Sequence, residues 1–141
     1  MQRLTRWLDS LIPAHLVDER AKWRARFLVH GVALGMVIAG SSAGAMVMCE
    51  YYFDPKKQRV ERGLNLVPNA CVLPHHNNFG KTWAKQLMQL LPKSILIGVD
   101  ERTGVVSDPD GGWQVYGARE VTLYWAGADV RYGRGERFSF L

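Results

Sequence analysis

Cysteine is scarce: the 141-residue chain has two, Cys49 and Cys71, both among apolar neighbours. Two thiols cannot build the disulfide framework of a small secreted domain, and these share no metal-ligand spacing. They read as buried, reduced thiols of a cytoplasmic protein. No secretory leader is expected either, because Met1-Gln2-Arg3-Leu4-Thr5-Arg6 runs into no apolar stretch with a small-residue cleavage site. No internal repeat or low-complexity tract is present, which excludes solenoid and linker architectures. Concentrated charge is also missing. The net charge is +5, but the cations are spread over residues 20–26, 56–62, 81–93 and 131–137. No run interleaves aromatics with Lys or Arg as a single-strand-binding face does, so no nucleic-acid partner is expected.

What is present is a globular composition, 48% hydrophobic and 22% charged, of a length that suits one compact domain. Residues 3–29 read as helical with a break at Pro13. The most apolar stretch follows, residues 27–49, and it has two readings. It is long enough to span a bilayer, with basic residues before it and Gly31, Gly35, Gly40 and Gly44 as small packing positions. Against that, His30, Ser41 and Ser42 lie inside it, and glycine is poor within an isolated helix. The preferred reading is a buried strand over 36–39, a tight turn over 40–43 and a buried helix from Gly44, without a membrane span.

Downstream, Asp54-Pro55-Lys56-Lys57 reads as a loop and residues 70–73 as a short strand ending at Pro74. Residues 80–91 read as a helix closed by Pro92, and 94–99 as a β-branched strand. Residues 105–106, 113–116 and 121–125 then alternate around glycine turns as antiparallel β, with 137–141 as a last edge strand. Helices and strands in alternation followed by a β-rich tail make an α/β chain.

Three groups of residues suit nucleophilic chemistry. Gly40-Ser41-Ser42-Ala43-Gly44 matches G-x-S-x-G between an expected strand and an expected helix. In that setting the central serine sits on a strained turn, and the N–H of Ala43 can face a developing oxyanion. The plainer alternative is a structural Gly/Ser turn. A serine needs a base, and Pro74-His75-His76-Asn77-Asn78 places His75 or His76 just past a strand. His15 and His30 read as surface or packing residues. Asp100 and Glu101 end the strand over 94–99 and offer an acid to orient the histidine, or simply a solvated turn. Each group terminates a different strand, which collects all of them at the ligand-binding edge of an open sheet.

These residues resemble the cyanophycinase and aspartyl dipeptidase (dipeptidase E) family of serine peptidases. The nucleophile segment is similar over Gly40-Ser41-Ser42-Ala43-Gly44-Ala45-Met46. Gly63-Leu64-Asn65-Leu66-Val67-Pro68 through Leu73-Pro74-His75 resembles the segment bearing the family's histidine. Ile97-Gly98-Val99-Asp100-Glu101-Arg102-Thr103 resembles its acid segment, and Trp113 to Leu123 its closing hairpins.

The resemblance implies a flavodoxin-like, class I glutamine amidotransferase-like open sheet with a hairpin-rich C-terminal part. It assigns Ser42 as nucleophile, His75 as base, Glu101 as orienting acid and Ala43 as oxyanion donor. Substrate contacts fall to His76, Asn78 and Lys81. No metal or organic cofactor is implied, and the expected substrate is a short peptide or isopeptide. The arginine-rich segment that would grip an Asp-Arg substrate has no counterpart in residues 77–83, where Lys81 is the single cation. Nothing before Gly31 resembles the family's upstream strands or the Gly-Gly loop that carries the second oxyanion donor. The expectation is therefore one domain: a helical lead-in over 1–29, a catalytic core over 30–125 and a β tail over 126–141. It lacks the first strands, and a homo-oligomer or a complementing N-terminal half would cover the open sheet edge.

Overall fold

A computed structural model describes residues 37–139. The expected helix over 3–29, His15, His30 and the last two residues of the tail lie outside them. Among the described residues, no helix is long and apolar enough to cross a membrane.

The main sheet is built on three parallel strands, β1 (Cys49–Asp54), β3 (Val67–Pro74) and β4 (Ile95–Val99). The end of β3 and the middle of β4 are continuously buried, as expected for strands covered on both faces. An antiparallel hairpin partner, β2 (Arg59–Arg62), flanks β1. On the far side β7 (Val121–Trp125) and β8 (Ala128–Tyr132) add antiparallel to β4, giving the order β2-β1-β3-β4-β7-β8. Among the described residues, both outer strands carry charge, with Arg59 and Glu61 on β2 and Asp129 and Arg131 on β8. Charged edge strands discourage pairing with other chains. A second, three-stranded sheet of β5 (Thr103–Ser107), β6 (Gly112–Gly117) and β9 (Arg137–Ser139) packs its Val115 and Phe138 inward.

Among the described residues, two helices serve the main sheet. α1 (Ala43–Met48) packs on β1 and β3, and α2 (Lys81–Leu90) packs on β3, β4 and β7. Ala84 and Leu87, one helical turn apart, supply the buried stripe of α2. A single π-helical turn, His76–Gly80, joins β3 to α2.

The mixed α/β open sheet agrees with the sequence reading, and so do α2, β4 and β7 to within a residue or two. The loop expected over 54–57 is present, as the turn of the β1–β2 hairpin. Two expectations are corrected. The helix expected to be buried from Gly44 is short and largely exposed, with Met46 its one buried residue, and it gives way after Met48 to a strand whose inward residues are Cys49 and Phe53. The strand expected over 36–39 is also absent in its described part, where residues 37–40 are irregular and Val37 is 89% exposed. A strand exists through its ladder bonds, and no described residue pairs with this segment.

Candidate active site

Parallel pairing of β3 with β4 sets Pro74 opposite Val99. His75 and Asp100-Glu101, the next residues on each strand, therefore emerge side by side at the carboxyl edge of the sheet. Ser42 reaches the same place from the start of α1. Its Oγ lies 3.0 Å from His75 Nε2, and His75 Nδ1 lies 3.1 Å from Glu101 Oε1.

The direction of these bonds follows from the acid. The neighbouring His75 holds the Glu101 carboxyl below the usual glutamate range, so Glu101 is an acceptor only at neutral pH. The ring proton then sits on Nδ1 and donates to Glu101. Nε2 is left with a lone pair that accepts from the Ser42 hydroxyl. A serine hydroxyl facing an oriented basic nitrogen is the arrangement that nucleophilic catalysis requires.

Local backbone strain accompanies it. Ser42 stands at the N-cap of α1 with φ 50° and ψ −118°, yet its side chain makes no capping bond. An N-cap serine ordinarily accepts an N–H of the first turn, so here the hydroxyl is turned away from capping and toward His75. Such a backbone costs on the order of 1–3 kcal/mol in a residue with a Cβ. Ser42→Gly should therefore be more stable than Ser42→Ala by about 1 kcal/mol, after glycine's greater unfolded-state freedom is subtracted. Both variants lack Oγ, so their urea midpoints isolate the backbone. An alanine variant as stable as the glycine variant would mean that the turn relaxes in solution.

Ala43 is the first residue of α1 and is exposed. Its N–H belongs to the first turn of the helix, where donors have no intrahelical acceptor. His75 adopts a left-handed backbone (φ 49°), and the Phe79 ring stacks on its imidazole at 5.1 Å. Asn77 Oδ1 accepts the Glu101 main-chain N–H at 2.7 Å, linking the turn after β3 to the turn after β4. Asn78 and Lys81 are exposed just beyond His75.

His76 is not placed where a substrate could reach it. It is 5% exposed, with Nδ1 3.3 Å from Asp100 Oδ1 and Nε2 2.7 Å from the Tyr124 hydroxyl. The left-handed turn at His75 sends the two adjacent rings to different environments, so the expected substrate contact at His76 is corrected to a buried one. Burial lowers its proton affinity, more than Asp100 raises it. Cys49 and Cys71 are free and buried, and burial pushes both thiols up to about 12, which leaves them inert as nucleophiles. Sequence reasoning missed Asn77, Phe79 and the His76–Asp100–Tyr124 chain. The spacing of Phe79 four residues after His75 was the one available signal, since tertiary pairing decides the others.

A scan against protein-family models matches peptidase family S51 over residues 14–112. That segment is well over half of the chain and contains Ser42, His75 and Glu101. The chain belongs to peptidase family S51. The resemblance drawn from its motifs is therefore to the right family. Among solved structures, this S51 chain is similar to the crystal structure of a peptidase from an acI-B1 Actinobacterium, with 30% identity and a TM-score of 0.70. The similarity covers 85% of this chain and 51% of that one, so the chain spans about half the length of that peptidase. A search of curated proteins finds no match.

Proposed function

We propose that this S51 chain is a serine-type hydrolase of short peptide or isopeptide bonds, acting through Ser42, His75 and Glu101. Ser42 Oγ attacks the carbonyl carbon while its proton passes to His75 Nε2. Glu101 stabilises the imidazolium, and the Ala43 N–H faces the oxyanion. Collapse of the tetrahedral intermediate breaks the C–N bond, with His75 returning its proton to the leaving amine. Water then releases the acyl group from Ser42 by the same route. The observation that carries this reading is the unbroken chain of contacts, Ser42 Oγ to His75 to Glu101, at 3.0 and 3.1 Å.

One observation favours a second reading, an interaction module of the same fold without catalysis. Ser42 is exposed, and the His75 and Glu101 side chains are 36% and 42% exposed. Oxyanion stabilisation depends on a water-excluded site, and loss of one donor typically costs about 100- to 1,000-fold. Fluorophosphonate labelling read by intact mass separates the two. The hydrolase reading expects one adduct on the chain and none on Ser42→Ala. A folded wild-type chain that takes no label would favour the module.

A further inference from the structure

Beside the Ser42–His75–Glu101 chain runs a second histidine–carboxylate pair, displaced by one residue on each strand. The outer pair, His75 with Glu101, is half-exposed, while the inner pair, His76 with Asp100, has side chains 7% and 14% exposed. The proposed chemistry leaves the inner pair without a role.

Its connections are extensive. Asp100 follows β4, His76 follows β3 and Tyr124 lies on β7 opposite Leu96, so the bonds from Tyr124 through His76 to Asp100 tie three neighbouring strands together. Asp100 is fixed in turn by Glu120, whose carbonyl accepts the Asp100 N–H at 3.3 Å and whose own N–H donates to Asp100 Oδ2 at 3.4 Å. Neutral His76 satisfies every partner: Nδ1–H donates to the carboxylate, and Nε2 accepts the Tyr124 hydroxyl proton. The backbone makes room for it. A Cβ on Gly98 would lie 2.4 Å from Cδ2 of the His76 ring, so any side chain there would displace the imidazole.

We propose that His76, clamped by Asp100 and Tyr124, is a positioning residue that holds His75 in register with Glu101. The proposal rests on the hydrolase reading of the outer pair and deepens it. A half-exposed His–Glu contact is weak by itself, because water competes for both partners. The inner ring shares a peptide unit with His75, and the inner carboxylate shares one with Glu101. Fixing the inner pair in a buried network therefore fixes the backbone from which the outer pair extends. Buried networks with all partners satisfied are the ones that rigidify a site. A histidine oriented in this indirect way keeps its Nδ1–H donating to the acid, which leaves the Nε2 lone pair free for serine.

The test compares Tyr124→Phe, Asp100→Ala and Asp100→Asn with the wild-type chain. Long-range proton–nitrogen spectra of histidine-labelled protein report the tautomer of each ring, and fluorophosphonate labelling rates are measured across pH. Tyr124→Phe keeps the ring and removes one hydroxyl, so it remains informative should Asp100→Ala fail to fold. In Tyr124→Phe and Asp100→Ala, His75 should shift from the Nδ1–H tautomer toward a mixture. The plateau labelling rate should fall about 10- to 100-fold, the scale of a small misplacement. Asp100→Asn keeps the acceptor for His76 while losing the weaker one for the Glu120 N–H, and should restore part of both. Folded Tyr124→Phe and Asp100→Ala with a wild-type His75 tautomer and pH profile would overturn the proposal and leave the network a purely structural role. If the wild-type chain takes no label, the hydrolase reading fails by that result, and the tautomer measurement alone decides the positioning role.

Discussion

Replacing His75 with glutamine should slow acylation of Ser42 by at least about 1,000-fold while the chain stays folded. Glutamine can still hydrogen-bond Ser42 and Glu101, but its amide cannot take the serine proton at neutral pH. Attack would then require either a neutral hydroxyl nucleophile or proton loss to water. The ring has few structural duties to lose, since it is half-exposed and, among the described residues, stacks on Phe79, itself exposed. Glu101→Gln should be milder, about 10- to 100-fold, because a half-exposed carboxylate orients the imidazole less strongly than a buried one.

The pH dependence has a definite sign. The carboxyl of Glu101 is held low by His75, so its contribution is present above the ordinary glutamate range and is lost as pH falls through its lowered value. Time courses of fluorophosphonate labelling by intact mass, beside thermal midpoints, check both variants. A His75→Gln chain that labels near the wild-type rate would place the base on another residue.

Much of the site was legible because its residues are local punctuation. Pro74 and Val99 end two apolar runs, so the residues after them had to lie at a sheet edge whatever the pairing. The strand over 121–125 was equally plain, having alternating apolar residues between Glu120 and Ala126-Gly127. The start of β1 was hidden for the opposite reason. It continues an apolar stretch without a break, and α1 has only six residues, fewer than two turns, so no helical period could show where one ends and the other begins.

Register was the deeper obstacle. Whether His75 or His76 faces outward depends on the left-handed backbone at His75, and which carboxylate each meets depends on the parallel pairing of β3 with β4. Neither is a property of composition. The resemblance chose His75 over His76 and Glu101 over Asp100, and those are the two that lie together with Ser42. It had no means of assigning the discarded pair to each other, or of finding Tyr124 some 48 residues away in sequence.

Leu87→Ala should destabilise the chain by about 2–5 kcal/mol, against less than about 0.5 kcal/mol for Leu90→Ala three residues on. Leu87 is 0% exposed at the contact of α2 with the sheet, whereas Leu90 is 50% exposed. Truncating the first opens a cavity that close-packed neighbours fill only partly, and truncating the second returns little surface to water. A domain of this size is stable by about 5–15 kcal/mol, so the Leu87 cost is a large share of the whole. The same helix also reaches the site. Trp83 packs on Phe53 at 5.3 Å and on Phe79 at 5.4 Å, and Phe79 stacks on His75. This row of rings runs from the core to the imidazole along one side of α2. Leu87 lies outside the row, so its loss should lower the urea midpoint without changing the labelling rate per folded molecule at low temperature. Trp83→Ala breaks the row and should lower both. A Leu87→Ala chain that loses labelling while still folded would mean that the site depends on the seating of the whole helix rather than on the rings.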